Sequence, residues 1–219
     1  APSSASRRYR SGRKFLIAGR GGLNLSHAEP MPAFVQRYRN RTAAVGSWLD
    51  GFDNAAVCAW SHELGIETFI GSSGRVFPKD MKAAPLLRAW IRRLRESGVE
   101  FQVNQQAIGF DAAGRLRMLR ADGETTIAAD AFILALGGAS WPQLGSDGAW
   151  QSWLQPVGLD IETLQPSNCG FEYAWSDFFK SKFAGAPLKP LRIKLDQTEG
   201  NGLQGECVIS EYGLEGSLV

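Results

Sequence analysis

The stretch that most constrains the fold is residues 131–150, AFILALGGASWPQLGSDGAW, in which an apolar run is followed by glycines and a proline turn. Residues 132–136 are all apolar and do not alternate with polar residues, which is typical of a parallel strand covered on both faces. Gly137 and Gly138 then remove side chains where another molecule could approach the backbone closely. The pattern predicts a buried strand that ends at a glycine turn.

A second group of small residues predicts the start of a helix just after this turn. Ser146 or Asp147 can cap a helix that is entered at Ala149, between the flanking glycines Gly145 and Gly148. The unpaired amides of such a helix start suit the oxygens of a phosphate, a ribityl chain or a carboxylate. A turn that only joins a core strand to a helix fits these residues equally well, because glycine-rich turns are common in α/β proteins that bind no ligand there.

The composition indicates a globular chain with a sizeable core, since 44% of its 219 residues are hydrophobic. No apolar run approaches the roughly 20 residues that span a bilayer, and the basic N-terminal segment lacks the apolar core of a signal peptide. The expected location is therefore the cytoplasm, with no membrane partner. A net charge of +2 provides no general attraction to nucleic acid, so both arginine-rich clusters are interpreted as solvated surface and no nucleic-acid partner is expected.

The cysteines do not indicate a disulfide framework. Cys58, Cys169 and Cys207 are odd in number and widely spaced, which predicts three ordinary buried thiols. No cluster of His, Cys, Asp and Glu has ligand spacing, so no metal is predicted.

A second glycine segment lies near the N-terminus, at residues 15–28, FLIAGRGGLNLSHA, and is predicted to be extended with exposed amides. Its glycines lack the G-x-G-x-x-G spacing, and no strand–turn–helix unit surrounds them. The residues alone therefore fit a surface loop as well as a ligand-binding loop.

Hydrophobic periodicity predicts mixed secondary structure along the rest of the chain. Helices are expected twice within residues 32–64, where Asp53 is an early-turn acid, and again at 79–97 and 150–157. Strands are expected at 66–70, 99–103, 107–111, 115–120, 125–127, 191–195 and 206–209. The four strands from 99 to 127 form a predicted antiparallel meander, and a change of composition places a domain boundary near Gly158.

Four motifs in a fixed order resemble the aminoacetone oxidase-like FAD-binding flavoproteins, which are two-dinucleotide-binding flavoproteins: GRKFLIAGRGGLNLSHAE, GIETFIGSSGRVFP, ILALGGASWPQLGSDGAW and SEYGLEGS. The resemblance runs from about Gly12 to the last residue. It implies an α/β fold in which residues 1–158 form a partial Rossmann-like FAD-binding domain with an antiparallel β meander. Residues 159–219 would begin a mostly β, substrate-side domain. Such proteins open with a strand and a G-x-G-x-x-G turn that are absent here, so the chain is expected to be the middle of a longer flavoprotein.

The resemblance also implies which residues contact FAD. Arg13 and Lys14 would begin a loop along the cofactor, and the residues near the flavin and pyrophosphate would be Arg20, Gly21, Gly22, Leu23 and Asn24. Gly137 and Gly138 would form a second contacting turn, and the segment beside the ribityl and isoalloxazine groups would be Gly145, Ser146, Asp147 and Gly148. His27 is a candidate catalytic residue at the reactive face of the flavin, and a hydrogen-bonded structural histidine is the alternative.

The implied activity is that of an FAD-dependent oxidoreductase, in which the flavin exchanges a hydride with a small organic substrate such as an amine. Oxygen or NAD(P)H would be the second partner. The alternative is a binding or regulatory module that keeps the scaffold without turnover, and the missing ADP-binding unit is its support.

Overall fold

The computed structural model describes residues 12–18, 22–166, 169–194, 202–216 and 218–219. These residues divide into two compact units. The first contains the described residues of 1–135 together with 143–145 and 150–159. The second contains those of 136–142, 146–149 and 160–219. No helix among the described residues is both long enough and apolar enough to cross a bilayer.

Helices supply much of the first unit. They are α1 (Arg13–Ala18), α2 (Met31–Gln36), α3 (Thr42–Leu49), α4 (Asn54–Glu63), α5 (Ala83–Glu96) and α6 (Trp150–Leu154), with 3-10 turns at Arg39–Arg41 and Gln155–Val157. The predicted helices at 79–97 and 150–157 are confirmed with slightly different bounds. The region from 32 to 64 holds three α-helices rather than two, and Asp53 caps α4 by accepting a hydrogen bond from the amide of Ala56.

The core of the first unit forms where α5 meets the N-terminal segment. Leu86 on the buried face of α5 is 0% exposed and packs with Leu23 and Ala83. The Trp60 and Trp90 rings meet edge to face at 5.3 Å. Phe15 of α1 lies 6.3 Å from Trp90, and this contact explains why residues 13–18 are helical although an extended segment was predicted from residue 15. A packed aromatic face stabilises this short helix, which its glycine-rich surroundings do not favour.

Two small antiparallel sheets complete the first unit. Strands β1 (Ser26–His27), β2 (Thr68–Ile70) and β3 (Arg75–Pro78) pair in the order β1–β3–β2. Strands β4 (Gln106–Phe110), β5 (Leu116–Arg120) and β6 (Gly123–Ile127) form a meander in sequence order, which confirms three of its four predicted strands. The predicted strand at 99–103 is wrong, because these residues pair with no described strand.

The predicted buried strand at 131–136 is also wrong. These residues belong to no described helix or sheet, and Ile133 is 95% exposed. Phe132 alone finds an aromatic neighbour, Phe110, at 5.4 Å between ring centroids. A parallel strand needs hydrogen-bonding neighbours, and every described strand pair of this chain is antiparallel and formed elsewhere.

The second unit is mostly β. Strands β7 (Gly170–Glu172), β8 (Pro187–Ile193), β9 (Leu203–Ile209) and β10 (Gly213–Glu215) pair in the order β7–β10–β9–β8, and α7 spans Asp177–Phe183. The strands predicted at 191–195 and 206–209 are confirmed within β8 and β9. Cys207 is buried here, Cys169 is exposed and Cys58 of the first unit is half-buried, so the prediction of three buried thiols is wrong for Cys169. Helices and strands together confirm the α/β class.

Candidate functional site

The N-terminal glycine segment is docked along β3. The amide of Leu23 donates a hydrogen bond to the carbonyl oxygen of Met81 (3.3 Å), and the amide of Leu25 donates one to the carbonyl oxygen of Val76 (2.9 Å). Ala28 donates to the Gly74 carbonyl at 2.8 Å. Residues 22–28 are therefore extended, as predicted, but three of their amides bind protein backbone and are not free for a ligand.

The predicted cofactor residues of this segment fall into different environments. Leu23 is buried and Asn24 is exposed. Gly22 has a φ of 118°, a conformation that favours glycine, and a Cβ there would displace only the flexible end of the Met81 side chain, whose terminal methyl lies 2.4 Å away. Arg20 and Gly21 lie outside the described residues.

Arg13 and Lys14 occupy the first turn of α1, with exposed side chains. Their predicted place in a loop is therefore wrong, because the packing of Phe15 against Trp90 favours a helix there.

The second glycine turn combines strained backbone with open space. Gly137 has a φ of 79°, which side-chain-bearing residues rarely adopt. Gly138 is exposed, and a Cβ there would meet nothing within 4 Å. Gly148, in contrast, is packed, since its Cβ would lie 3.1 Å from the Ala139 Cβ and 3.3 Å from Leu164. Unlike Gly148, Gly138 therefore leaves open space beside its Cα.

The residues after this turn form a closed loop that leads to a helix. The backbones of Trp141 and Ser146 exchange two hydrogen bonds, at 3.1 and 3.0 Å, and Ser146 is buried. The Asp147 carboxylate accepts a hydrogen bond from the amide of Ala149 at 3.1 Å, immediately before α6. Asp147 therefore closes a local turn just before α6 and binds no amide of the helix itself, and its side chain is exposed. Gly145 has a φ of 83° at the end of this loop.

His27 is bound through both ring nitrogens. Its Nδ1 accepts a hydrogen bond from the amide of Glu29 (3.2 Å), and its Nε2 lies 3.1 Å from the carbonyl oxygen of Ser73. A carbonyl can only accept, so these contacts select the neutral tautomer with the proton on Nε2. The ring also lies against Gly74, where a Cβ would come within 2.7 Å of Cε1. This environment favours the structural alternative for His27.

The turn that follows His27 is held by two side chains from other elements. The Asn54 amide donates from Nδ2 to the carbonyls of both His27 and Glu29, at 2.8 Å each. Arg37 binds the Glu29 carboxylate through two nitrogens, and its hydrogen bond holds the pKa of Glu29 below the ordinary range. Sequence reasoning missed Asn54, Glu29 and Arg37, because no local pattern connects an amide on α4 with carbonyls 25 and 27 residues earlier.

A cavity of about 460 Å³ lies beside this turn, between it, the start of α4 and strands β2 and β3. His27, Glu29, Asp53, Asn54 and Cys58 contribute to its walls. In the described part of the chain, no three His, Cys, Asp or Glu side chains are close enough together to hold a metal ion.

Comparison with known proteins covers nearly the whole chain. Residues 6–210 match a family model described as the HI0933-like protein Rossmann domain, which confirms the Rossmann-like class. The chain is also 25% identical over 205 residues to the 3-dehydro-bile acid delta(4,6)-reductase of Clostridium scindens. That alignment covers 94% of this chain and 49% of the reductase, so the chain spans about half the length of this curated relative.

Proposed function

This chain belongs to the HI0933-like Rossmann-domain family, and on that premise we propose that it forms part of an FAD-dependent oxidoreductase. The observation that carries the proposal is the backbone at Gly137 and Gly138, which follows an apolar run inside the family match. A positive φ at Gly137 and open space beside Gly138 are what a turn needs to let a cofactor approach the backbone. A relative whose name is that of a reductase supports the same class of activity.

The described residues fit a flavin cofactor in different ways. Within the second unit, Gly138 offers accessible backbone, and the exposed side chain of Asp147 carries a polar group suited to ribityl or ribose hydroxyls. Leu23 is buried, so it would act through its position in the core. Gly22 and Gly148 would act by packing, since both lie against neighbouring side chains. Bound FAD would supply a flavin ring that accepts or donates a hydride equivalent, and the protein would supply orientation and electrostatics.

The proposed substrate is a small organic molecule, with an amine as one class that the resemblance suggests. NAD(P)H or oxygen would be the second partner. The Clostridium scindens relative is named as a reductase of a 3-dehydro bile acid, and this favours NAD(P)H over oxygen as the second partner.

Titration with FAD, followed by quenching of flavin fluorescence, tests the proposal in the complete protein. Gly137→Val should weaken FAD binding by about tenfold or more, because a branched side chain resists the positive φ and occupies the approach to the backbone. Gly158→Val is the matched control, since Gly158 has a similar φ of 83° and nothing within 4 Å of its Cβ. The control should be destabilised similarly but bind FAD normally.

Two results would overturn the proposal. The first is a complete protein that is folded but does not bind FAD. The second is a protein loaded with FAD whose flavin is not reduced in the absence of oxygen by NADPH, by NADH or by an amine. Equal FAD affinity in the folded Gly137→Val and Gly158→Val variants would reject the placement of the site at this turn.

A further inference from the structure

The cavity beside the His27 turn has the size of a small-molecule site. Its volume of about 460 Å³ lies within the range of roughly 300–1,000 Å³ that is common for ligand pockets. All of its lining residues belong to the first unit. It is formed by the turn at 27–31, the first residues of α4 and strands β2 and β3.

Much of its wall is apolar. Met31, Ala55, Ile70 and Val76 line it together with the Cys58 thiol. Burial, and secondarily the charge of Asp53, raise the pKa of Cys58, so its sulfur stays protonated and neutral. The thiol lies 3.4 Å from the carbonyl of Asn54, to which it donates. This part of the cavity suits the apolar body of a ligand.

The polar groups of the wall are mainly hydrogen-bond acceptors. Glu29 and Asp53 contribute carboxylates, and none of the described residues that line the cavity is a lysine or an arginine. Asn54 uses Nδ2 to bind two carbonyls, which leaves its Oδ1 as an acceptor. The Nε2 proton of His27 is directed to the Ser73 carbonyl, and the Thr68 hydroxyl is bonded to His62.

The charge balance near these acceptors is negative. Arg37 pairs with Glu29 but does not line the cavity, so its charge offsets one carboxylate and leaves that of Asp53. A ligand carboxylate would meet two carboxylate side chains and, among the described lining residues, no cationic side chain, which is unfavourable in a partly enclosed site. A hydroxyl or ammonium group would find acceptors.

The acceptors are also held in place before any ligand binds. Asn54 joins α4 to the His27 turn through two hydrogen bonds, and Arg37 holds the Glu29 carboxylate through two more. Groups that are already fixed lose little conformational entropy on binding.

We propose that this cavity is a ligand site for a compact molecule with an apolar body and a head group that donates hydrogen bonds. Neither Gly137 nor Gly138 is among the residues that line it. It is therefore tested without FAD, so that failure here leaves the proposed function standing, and failure to bind FAD leaves this site standing.

Three probes with the same ring test the head-group preference on the 219-residue chain: benzylamine, benzyl alcohol and benzoate. Binding is followed by the amide NMR shifts of Ala28, Ala55 and Cys58. Molecules this small should bind with Kd values of about 1 mM. The two donor probes should bind at least about tenfold more tightly than benzoate. Benzoate binding as tightly as benzylamine, or no binding of either donor probe, would overturn the proposal.

A pair of alanines on α4 provides a matched test of location. Ala55 lines the cavity, whereas Ala59 is exposed one turn later and does not. Ala55→Leu should weaken both donor probes by about tenfold because the longer side chain fills the cavity, and Ala59→Leu should change them by less than about twofold. Both substitutions keep good helix formers, and circular dichroism checks that each variant is folded. Unchanged affinity in folded Ala55→Leu would refute the location.

Asp53→Asn supplies a variant that does not alter the shape of the cavity. Asparagine caps helices as well as aspartate does, so α4 should be retained. Loss of the charge should weaken benzylamine by about threefold or more and leave benzyl alcohol nearly unchanged. An equal effect on both probes would contradict the role given to the carboxylate.

Discussion

Two segments of this chain, 22–28 and 131–138, have similar compositions but differ in whether they pair with a strand. Both combine apolar residues with glycines, and both lie inside the family match. The first lies along β3, donates three amides to backbone carbonyls and buries Leu23 to 6% exposure. The second pairs with no described strand and leaves Ile133 at 95% exposure. An extended apolar segment becomes part of a sheet only where another backbone faces it.

The same contrast separates the polar residues that follow. After the first segment, the turn at 27–29 is bound by Asn54 from α4 and by Arg37. In the second, Gly138 is open on its Cα side and Asp147 keeps an exposed carboxylate. The first region is thus held by contacts within one unit, and the second leaves backbone and side chains accessible to a ligand.

The largest expected effect compares one apolar residue from each segment. Leu23→Ala should lower the free energy of unfolding by about 2–4 kcal/mol, because it removes a side chain from the core formed with Leu86 and Ala83. Ile133→Ala should change it by less than about 0.5 kcal/mol, since that side chain is already in water. Urea unfolding of the 219-residue chain, monitored by tryptophan fluorescence, measures both changes in the free energy of unfolding. Equal decreases in the free energy of unfolding would show that residues 131–136 are buried in solution, and the contrast between the two segments would then be wrong.

A smaller effect is expected from the contacts of the His27 turn. Asn54→Ala should cost about 1–2 kcal/mol, because two carbonyls lose their donor while the helix position accepts alanine readily. Asn24→Ala serves as the control, since this exposed asparagine should contribute less than about 0.5 kcal/mol. Thermal unfolding compares the two variants. A neutral Asn54→Ala would mean that water satisfies the turn as well as the amide does.

The smallest effect concerns the pH dependence of the same turn. Arg37 lowers the pKa of Glu29 in the folded chain, so the pair stabilises the fold above the ordinary carboxyl pKa, and this contribution is lost as the pH falls through the lowered value. Glu29→Gln should therefore lower the Tm slightly at about pH 7 and not at about pH 3. A Tm difference that is the same at both pH values would show that the carboxylate charge contributes nothing.

Local sequence patterns predicted several elements well. The 3.6-residue periodicity from Ala83 to Leu94 predicted α5, and the turns at 111–114 and 120–123 predicted the meander. These elements form through contacts between residues close in sequence, so a short window contains the information. The predictions of a strand at 99–103 and of a buried strand at 131–136 are wrong, because strand pairing depends on residues that are distant in sequence and therefore lie outside any short stretch.

The candidate site shows the same limit. A glycine at the end of an apolar run is consistent with the positive φ found at Gly137, and Asp147 binds an amide just before α6 rather than capping the helix itself, since both effects are local. The function of His27 could not be read from its position. Both of its ring nitrogens are occupied by backbone groups, and one of those, the Ser73 carbonyl, lies 46 residues away.

The amino-acid sequence by itself determined the α/β class, the helix of residues 83–96, the β meander and the glycine turn, because steric and periodic preferences act over a few residues. Only the tertiary structure decided that residues 22–28 lie on β3, that Asn54 holds the His27 turn and that an acceptor-lined cavity forms beside it. Hydrogen bonds and cavities of this kind depend on which distant backbones meet, and side chains far apart in sequence become neighbours only after the chain has folded.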